Sequence, residues 1–248
     1  MGAIRGIFVT GTDTGVGKTV VAASIAAHMK AQGLTVGVMK PAETGCSMRK
    51  GELFPKDAAF LRKASGTDDI LGAVCPYRFD EPLAPAIAAQ RAGKKVDTRL
   101  IIKIFRAIAR QSDFTIVEGA GGLMVPLCGK YTFLDLAAEL GLPLVIVGRA
   151  GLGTINHTVL TVEAARARGV AISGIILNHS TGNGVGAASE TNPKAIEALT
   201  GIKPFVTPYT PGAKSGNKAL AKIGESLSEQ RFFTLDNEKA AGYDVPNS

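Results

Sequence analysis

Apolar runs at residues 7–9, 34–40, 114–117, 142–147, 170–178 and 205–206 divide the chain into a regular series. They are almost free of alternating polar positions, which is how strands read when both faces of a parallel sheet are covered. A shorter extended piece at 76–79 adds one more candidate strand. Between these runs lie stretches with helical spacing: an Ala-rich one at 20–27, others at 56–63, 131–140, 192–199 and 218–227, and one that ends near Arg168. Pro82 and Pro85 open a further Ala-rich helix, which Gly93 ends. In the stretch 97–110, Leu100, Ile101, Ile104, Phe105 and Ile108 share one face. Residues 42–54 and 180–192 read as loops, the latter rich in Gly, Ser, Thr and Asn. Strand and helix alternate throughout, so the expected architecture is a single α/β domain over 1–230. Its doubly wound, mostly parallel sheet has about seven strands flanked by helices, and residues 231–248 form a polar tail.

The first strand leads into Gly11-Thr12-Asp13-Thr14-Gly15-Val16-Gly17-Lys18-Thr19, and the first helix follows at once. Strand, glycine loop and helix together are the context of a phosphate-binding loop, and the fold is expected to be P-loop NTPase-like. Glycines let successive backbone N–H groups converge on phosphate oxygens, and the positive end of the helix favours the same anion. Lys18 then reaches the outer phosphates, and the Thr19 hydroxyl is a Mg2+ ligand. Thr12 stands where the strict G-x-x-x-x-G-K-[ST] spacing has its first glycine, so counted from Gly11 the loop is one residue longer.

Ligands of doubly wound sheets sit outside the carboxyl ends of the strands, so residues at those ends are the next candidates. Lys40 ends the second strand, on the same rim as Lys18, and Thr44-Gly45 lies just beyond it. Asp57 opens a helix, as a capping acid or as a site residue. Glu118 closes the run 114–117 and is followed by Gly119-Ala120-Gly121-Gly122. An acid there can reach a metal at the neighbouring phosphate loop, and the small residues after it let the backbone approach phosphates. Thr154 and Asn156 stand at a helix start as caps or contacts, and His157 reads as a structural residue. Asn178 ends its strand with an amide whose paired donor and acceptor suit a purine edge.

Composition narrows the partners. Hydrophobic residues make up 46% and charged residues 20% of the 248 residues, ordinary for a globular protein. With no apolar run long enough to span a bilayer, no membrane association is expected. The N-terminus enters the first strand without space for a cleavable signal, so a cytoplasmic location is expected. Cys46, Cys75 and Cys128 are isolated and suggest neither disulfides nor a zinc site. A net charge of +7 raises the question of nucleic acid. The basic residues are scattered without aromatic interleaving, however, so a solvated basic surface that attracts small anions is expected instead.

Taken in order, these motifs resemble the dethiobiotin synthetase family over nearly the whole chain, from Gly11 to about Tyr209. The resemblance rests on the phosphate loop, Lys40-Pro41 with Thr44-Gly45, Asp57-Ala58, Pro76-Tyr77 with Pro82 and Pro85, Val117-Glu118-Gly119-Ala120-Gly121-Gly122, and Gly151-Leu152-Gly153-Thr154-Ile155-Asn156-His157. It implies ATP-dependent carboxylation of diaminopelargonate by CO2, followed by ring closure, with Mg2+ as cofactor and a homodimer as the working unit. It further implies catalytic roles for Lys18 and Lys40 and a metal shell of Thr19, Asp57 and Glu118. Nucleotide contacts are implied from Thr14, Gly15, Val16, Gly17, Lys18, Thr19, Val20, Asp57, Glu118, Gly119, Ala120, Gly121, Asn178, His179, Thr207, Pro208 and Tyr209. Substrate contacts are implied from Thr44, Leu152, Gly153 and Asn156. Gly15 stands where family members often carry an acid, so no side-chain contact is implied there. The family's Pro-x-Leu-Gly-x-Ile-Pro segment is the shorter Pro204-Phe205-Val206-Thr207-Pro208-Tyr209.

Two other classes share parts of this pattern. Switch ATPases of the ParA/MinD type carry an additional lysine five residues before the loop lysine, where this chain has Asp13. Residues 231–248 also lack the sustained apolar face of a membrane-targeting helix. A cobyrinate amidase-type synthetase needs a glutaminase domain, for which this chain has no room.

Overall fold

The computed structural model describes residues 4–179, 186–207 and 217–229. The chain opens with β1 (Gly6–Gly11), α1 (Lys18–Ala31), β2 (Val36–Met39), β3 (Ala42–Glu43), β4 (Ser47–Arg49), β5 (Glu52–Phe54), α2 (Lys56–Ser65) and α3 (Leu71–Val74). It continues through β6 (Tyr77–Arg78), α4 (Pro85–Arg91), α5 (Thr98–Arg110), β7 (Phe114–Gly122), β8 (Pro126–Cys128), β9 (Tyr131–Thr132) and α6 (Phe133–Leu140). The last elements are β10 (Leu144–Arg149), α7 (Thr154–Ala167), β11 (Ile172–Asn178), α8 (Ala187–Thr200), β12 (Phe205–Thr207) and α9 (Asn217–Ser228).

Six parallel strands form the central sheet, in the order β12-β11-β10-β1-β7-β2. The candidate strand at 76–79 does not join them: β6 pairs with β3 in a separate two-stranded piece, because the chain leaves the main sheet after Met39. The apolar runs divide between two cores, residue by residue. Ile7 and Val9 of β1 pack with Val21, Ile25 and Leu220 on one face, while Phe8 packs with Phe105, Phe133 and Leu136 on the other. Val145 and Val147 follow the first pattern, and Leu144 and Ile146 the second. Covered on both faces, each strand has no polar side to show, which is why the runs read as continuous.

Four local expectations change. The loop at 42–54 contains a hairpin, β4 with β5, turned at Lys50-Gly51 with φ of 50° and 83°. The helix expected at 131–140 starts at Phe133, because Thr132 forms a capping box with Asp135 and the two residues before the helix pair with β8. On α5 it is Ile102 that is buried, while Leu100 is 42% exposed. Helix α8 starts at Ala187, earlier than residue 192, and carries Pro193 inside it. Residues 231–248, Pro208 and Tyr209 lie outside the described residues.

Sheet register sets the site. Met39 of β2 pairs with Val117 of β7, so Lys40 emerges beside Glu118. Val9 of β1 pairs with Glu118, and a register shift follows before Gly11 pairs with Gly122. Arg149 pairs with Asn178, and Asn178 with Thr207. Lys40, Arg149, Asn178 and Thr207 therefore sit at or just past the carboxyl ends of their strands, whereas Glu118 lies in the middle of β7, which runs on to Gly122.

Candidate active site

A cleft of about 650 Å³ opens at this rim, lined by Thr14, Gly15, Gly17, Lys18, Thr19, Val20, Lys40, Thr44, Asp57, Glu118, Ala120 and Gly121 among the expected site residues. Glu43, Lys56, Phe60, Pro82, Leu83, Pro85 and Val125 also line it. The prolines were noticed in the sequence for their helix, and the cleft wall they form came only with the fold.

The loop glycines are required by their surroundings. Gly17 has φ of 100° and acts as the N-cap of α1 with no side-chain cap, and no acid lies in the first turn. Those N–H groups are thus left for an anion, with the helix dipole behind them. A Cβ at Gly11 would fall 2.8 Å from the Asp13 carbonyl oxygen as well as 2.8 Å from Lys18 Nζ, so the strand end is bare where the loop and its lysine fold back across it. Lys18 Nζ donates to the Asp13 carbonyl at 2.9 Å. Burial is the largest influence on Lys18 and lowers its pKa to about 8, against the opposing pull of Glu118. A buried ammonium of this kind gains most from an anion placed beside it.

Glu118 is fully buried. Its Oε1 accepts from Thr19 Oγ1 at 2.7 Å and from Lys40 Nζ at 2.8 Å, and Lys40 also lies 3.3 Å from Asp57 Oδ2. Among the described residues, Glu118 Oε2 is buried without a hydrogen-bond partner. Burial alone would lower the pKa of Lys40; the Glu118 carboxylate, with Asp57 beyond it, outweighs burial and raises it. Lys40 is therefore held as a cation between two carboxylates.

Asn178 closes the loop from the other side. Its Nδ2 donates to the Val16 carbonyl at 2.9 Å, and its Oδ1 accepts from Thr207 Oγ1 at 2.8 Å. The amide thus holds the loop with both of its ends, and Asn178, His179 and Thr207 are not among the residues that line the cleft. Val16 is buried beneath the loop, and Gly119 packs against Phe8 and Phe133, so neither lines the cleft. His179, half-buried, follows Asn178, and its N–H meets the Thr207 carbonyl.

Leu152, Gly153 and Asn156 are elsewhere. Gly153 is the N-cap of α7 with φ of 81° and no side-chain cap, so Thr154 and Asn156 do not cap this helix. Thr154 is instead buried near Thr158, while Asn156 and His157 are exposed and Leu152 is 91% exposed. The turn before α7 is held by Asn192, whose Nδ2 donates to the Gly151 carbonyl at 2.8 Å. No feature of the sequence pointed to Asn192. Cys46 and Cys75 are buried free thiols whose pKa burial raises.

Fold and cleft together define a phosphate-loop nucleotide-binding α/β protein, and a family model described as an AAA domain matches residues 5–207. Among solved structures, the cell division ATPase MinD of Pyrococcus furiosus is similar in fold at 18% identity (TM-score 0.54; 92% of this chain, 99% of that one). A chain of the MinC:MinD cell division protein complex of Aquifex aeolicus is similar in fold at 14% identity (TM-score 0.56; 91% and 96%). Curated relatives go further: proteins named ATP-dependent dethiobiotin synthetase BioD are 47% identical in Anaeromyxobacter sp. (strain K) (89% of this chain, 97% of that one). Those of Aquifex aeolicus and Bacillus cereus (strain B4264) are 43% identical (82% and 88%) and 38% identical (96% and 98%). The chain belongs to the ATP-dependent dethiobiotin synthetase family.

Proposed function

We propose that the chain converts 7,8-diaminopelargonate, CO2 and ATP to dethiobiotin, ADP and phosphate. One amine adds to CO2 and loses a proton to give a carbamate, and a carbamate oxygen attacks the γ-phosphorus as ADP leaves. The second amine then attacks the carbonyl of the mixed anhydride, phosphate departs and the ureido ring closes. The observation that carries this reading is the Lys40–Glu118–Asp57 cluster beside the phosphate loop in one cleft. Lys18 and the uncapped start of α1 hold the phosphates in place, and Lys40 offsets charge on the carbamate and on the phosphoryl group in flight. Thr44 contacts the diamine, and Asn178 pairs with adenine.

Thr19, Asp57 and Glu118 fit Mg2+: they are hard oxygen donors, and the orphaned Oε2 of Glu118 is a buried lone-pair donor in need of a cation. Among the described residues, no group of three or more His, Cys, Asp or Glu is arranged for a metal. Mg2+ with nucleotide phosphates does not require one, since phosphate and water oxygens complete its shell. When bound it would neutralise charge on the β- and γ-phosphates.

Water would destroy the mixed anhydride, and the cleft is open, so a second copy is inferred to cover it. In this homodimer, the exposed α7 start with Leu152, Gly153 and Asn156 receives the carboxylate of the substrate bound by the other subunit. A cytoplasmic place suits these substrates; among the described residues, no helix is long and apolar enough to cross a membrane.

The test is turnover with diaminopelargonate, bicarbonate and MgATP, with the product identified by mass. Phosphate release should require both the diamine and CO2 and yield the cyclic urea. Hydrolysis driven by DNA or lipid, with no ureido product, would instead make the chain a switch ATPase.

A further inference from the structure

Glu43 is a buried carboxylate, 6% exposed, to which the mechanism above gives no part. Its Oε1 accepts from the backbone N–H of Asp57 at 3.0 Å and its Oε2 from that of Ala58 at 2.9 Å. These are N–H groups of the first turn of α2, which begins after Pro55, a residue with no side-chain cap to offer. A helix start leaves four N–H groups without intrahelical partners, and a carboxylate there also meets the positive end of the dipole. The cap arrives from 14 residues back along the chain. Glu43 is itself fixed by its own backbone, since its carbonyl accepts from Phe79 N at 2.9 Å.

The consequence concerns Asp57. Its side chain is half exposed, and Lys40 at 3.3 Å is its ion-pair partner. The direction in which it projects is therefore set by the backbone of the first turn, which Glu43 grips with both oxygens. Residues 40–43 thus act as a bracket: one end places Lys40 on Glu118 and the other places Asp57. We propose that Glu43 is a positioning residue whose carboxylate clamps the start of α2, so that Asp57 is held in the same metal shell as Thr19 and Glu118. This rests on the metal role proposed for Asp57.

The experiment is Mn2+ binding, followed by electron paramagnetic resonance at a fixed concentration of a non-hydrolysable ATP analogue, with amide exchange of the protein alone measured in parallel. Outer partners of metal ligands typically govern affinity by about 10- to 100-fold. Glu43→Ala should therefore weaken Mn2+ binding by about tenfold or more, and Glu43→Gln, which keeps one acceptor, should fall between it and wild type. In an Asp57→Ala background, Glu43→Ala should change Mn2+ affinity by less than about twofold, because the residue it positions is gone. Exchange protection should fall at the N–H groups of Asp57 and Ala58 and persist in α1 and α5. The proposal is overturned if Glu43→Ala weakens Mn2+ equally in both backgrounds, if it leaves the α2 amides protected, or if protection is lost throughout the chain even in Glu43→Gln. A wild-type protein that binds no Mn2+ would remove the metal role and leave the clamp to be decided by the exchange data.

Discussion

Helices α1 and α7 begin alike and end up in opposite surroundings. Both have a glycine N-cap in the left-handed region, Gly17 and Gly153, with no side-chain cap and no acid in the first turn. Helices α5 and α6, by contrast, are capped by Asp97 and by the Thr132 capping box. Around Gly17 the structure is closed, with Lys18 buried, Thr19 on Glu118 and Asn178 on Val16. Around Gly153 it is open: a Cβ would meet nothing within 4 Å, and Leu152 stands out at 91% exposure. An uncapped helix start leaves N–H groups for a ligand or water to satisfy; α3, α4 and α8 also lack a side-chain cap, so the contrast rests on the surroundings of Gly17 and Gly153. We propose that each chain carries two half-sites, one recessed within the cleft and one presented outward.

The largest expected effect strikes the recessed half. Lys40→Ala should lower kcat by ~10² or more while nucleotide binding stays nearly intact, the signature of an interaction made mainly in the transition state. Steady-state kinetics with direct nucleotide titration separate the two; equal losses in both would make Lys40 a nucleotide ligand only.

One substitution made at both glycines sharpens the contrast. A Cβ at Gly17 would fall 2.0 Å from Asn178 Nδ2, on a backbone with φ of 100°. Left-handed strain plus the lost Asn178 tether should cost Gly17→Ala about 2–3 kcal/mol of stability, and the displaced loop should bind nucleotide at least about tenfold more weakly. Gly153→Ala meets open space, so it should carry only the strain, about 1–2 kcal/mol of stability, and leave nucleotide affinity within about twofold. Calorimetric titration and denaturant unfolding of the two variants measure both quantities.

A smaller effect follows from the burial of Lys18. Its folded pKa, about 8, lies below the ordinary 10.5, so its buried charge costs stability that is fully present below pH 8 and relieved as pH rises towards 10.5. Bound phosphates favour the ammonium and raise its pKa again. Nucleotide affinity should therefore be flat below pH 8 and fall above it, by at most about tenfold per pH unit, with proton uptake visible as a buffer-dependent binding enthalpy. Affinity that rises with pH in that range would contradict the assignment.

Much of the recessed half was legible in the sequence because its residues sit where apolar runs stop. Lys40 and Glu118 follow Met39 and Val117, and parallel pairing of those strands brings them together. Glu43 was not legible as a cap, because its partners at Asp57 and Ala58 belong to a distant helix and N-cap signals are sought next to the helix itself. The Lys50-Gly51 hairpin was missed for a related reason: a lysine with positive φ is no turn signal. Helix α8 was shortened because Ser189, Thr191 and Asn192 read as loop, although Asn192 reaches back to hold the Gly151 turn. Local pattern reveals what a residue's neighbours determine, and these cases depend on contacts made by the fold.

The central claim is that the helix starts at Gly17 and Gly153 belong to one site built from two chains, as proposed above. Mixing a Lys40→Ala chain with an Asn156→Ala chain under confirmed subunit exchange tests it directly. If each site pairs Lys40 of one subunit with Asn156 of the other, half of the dimers are mixed and each has one intact site, so activity should recover to about one quarter of wild type. Activity no greater than the sum of the two variants alone would contradict the shared site.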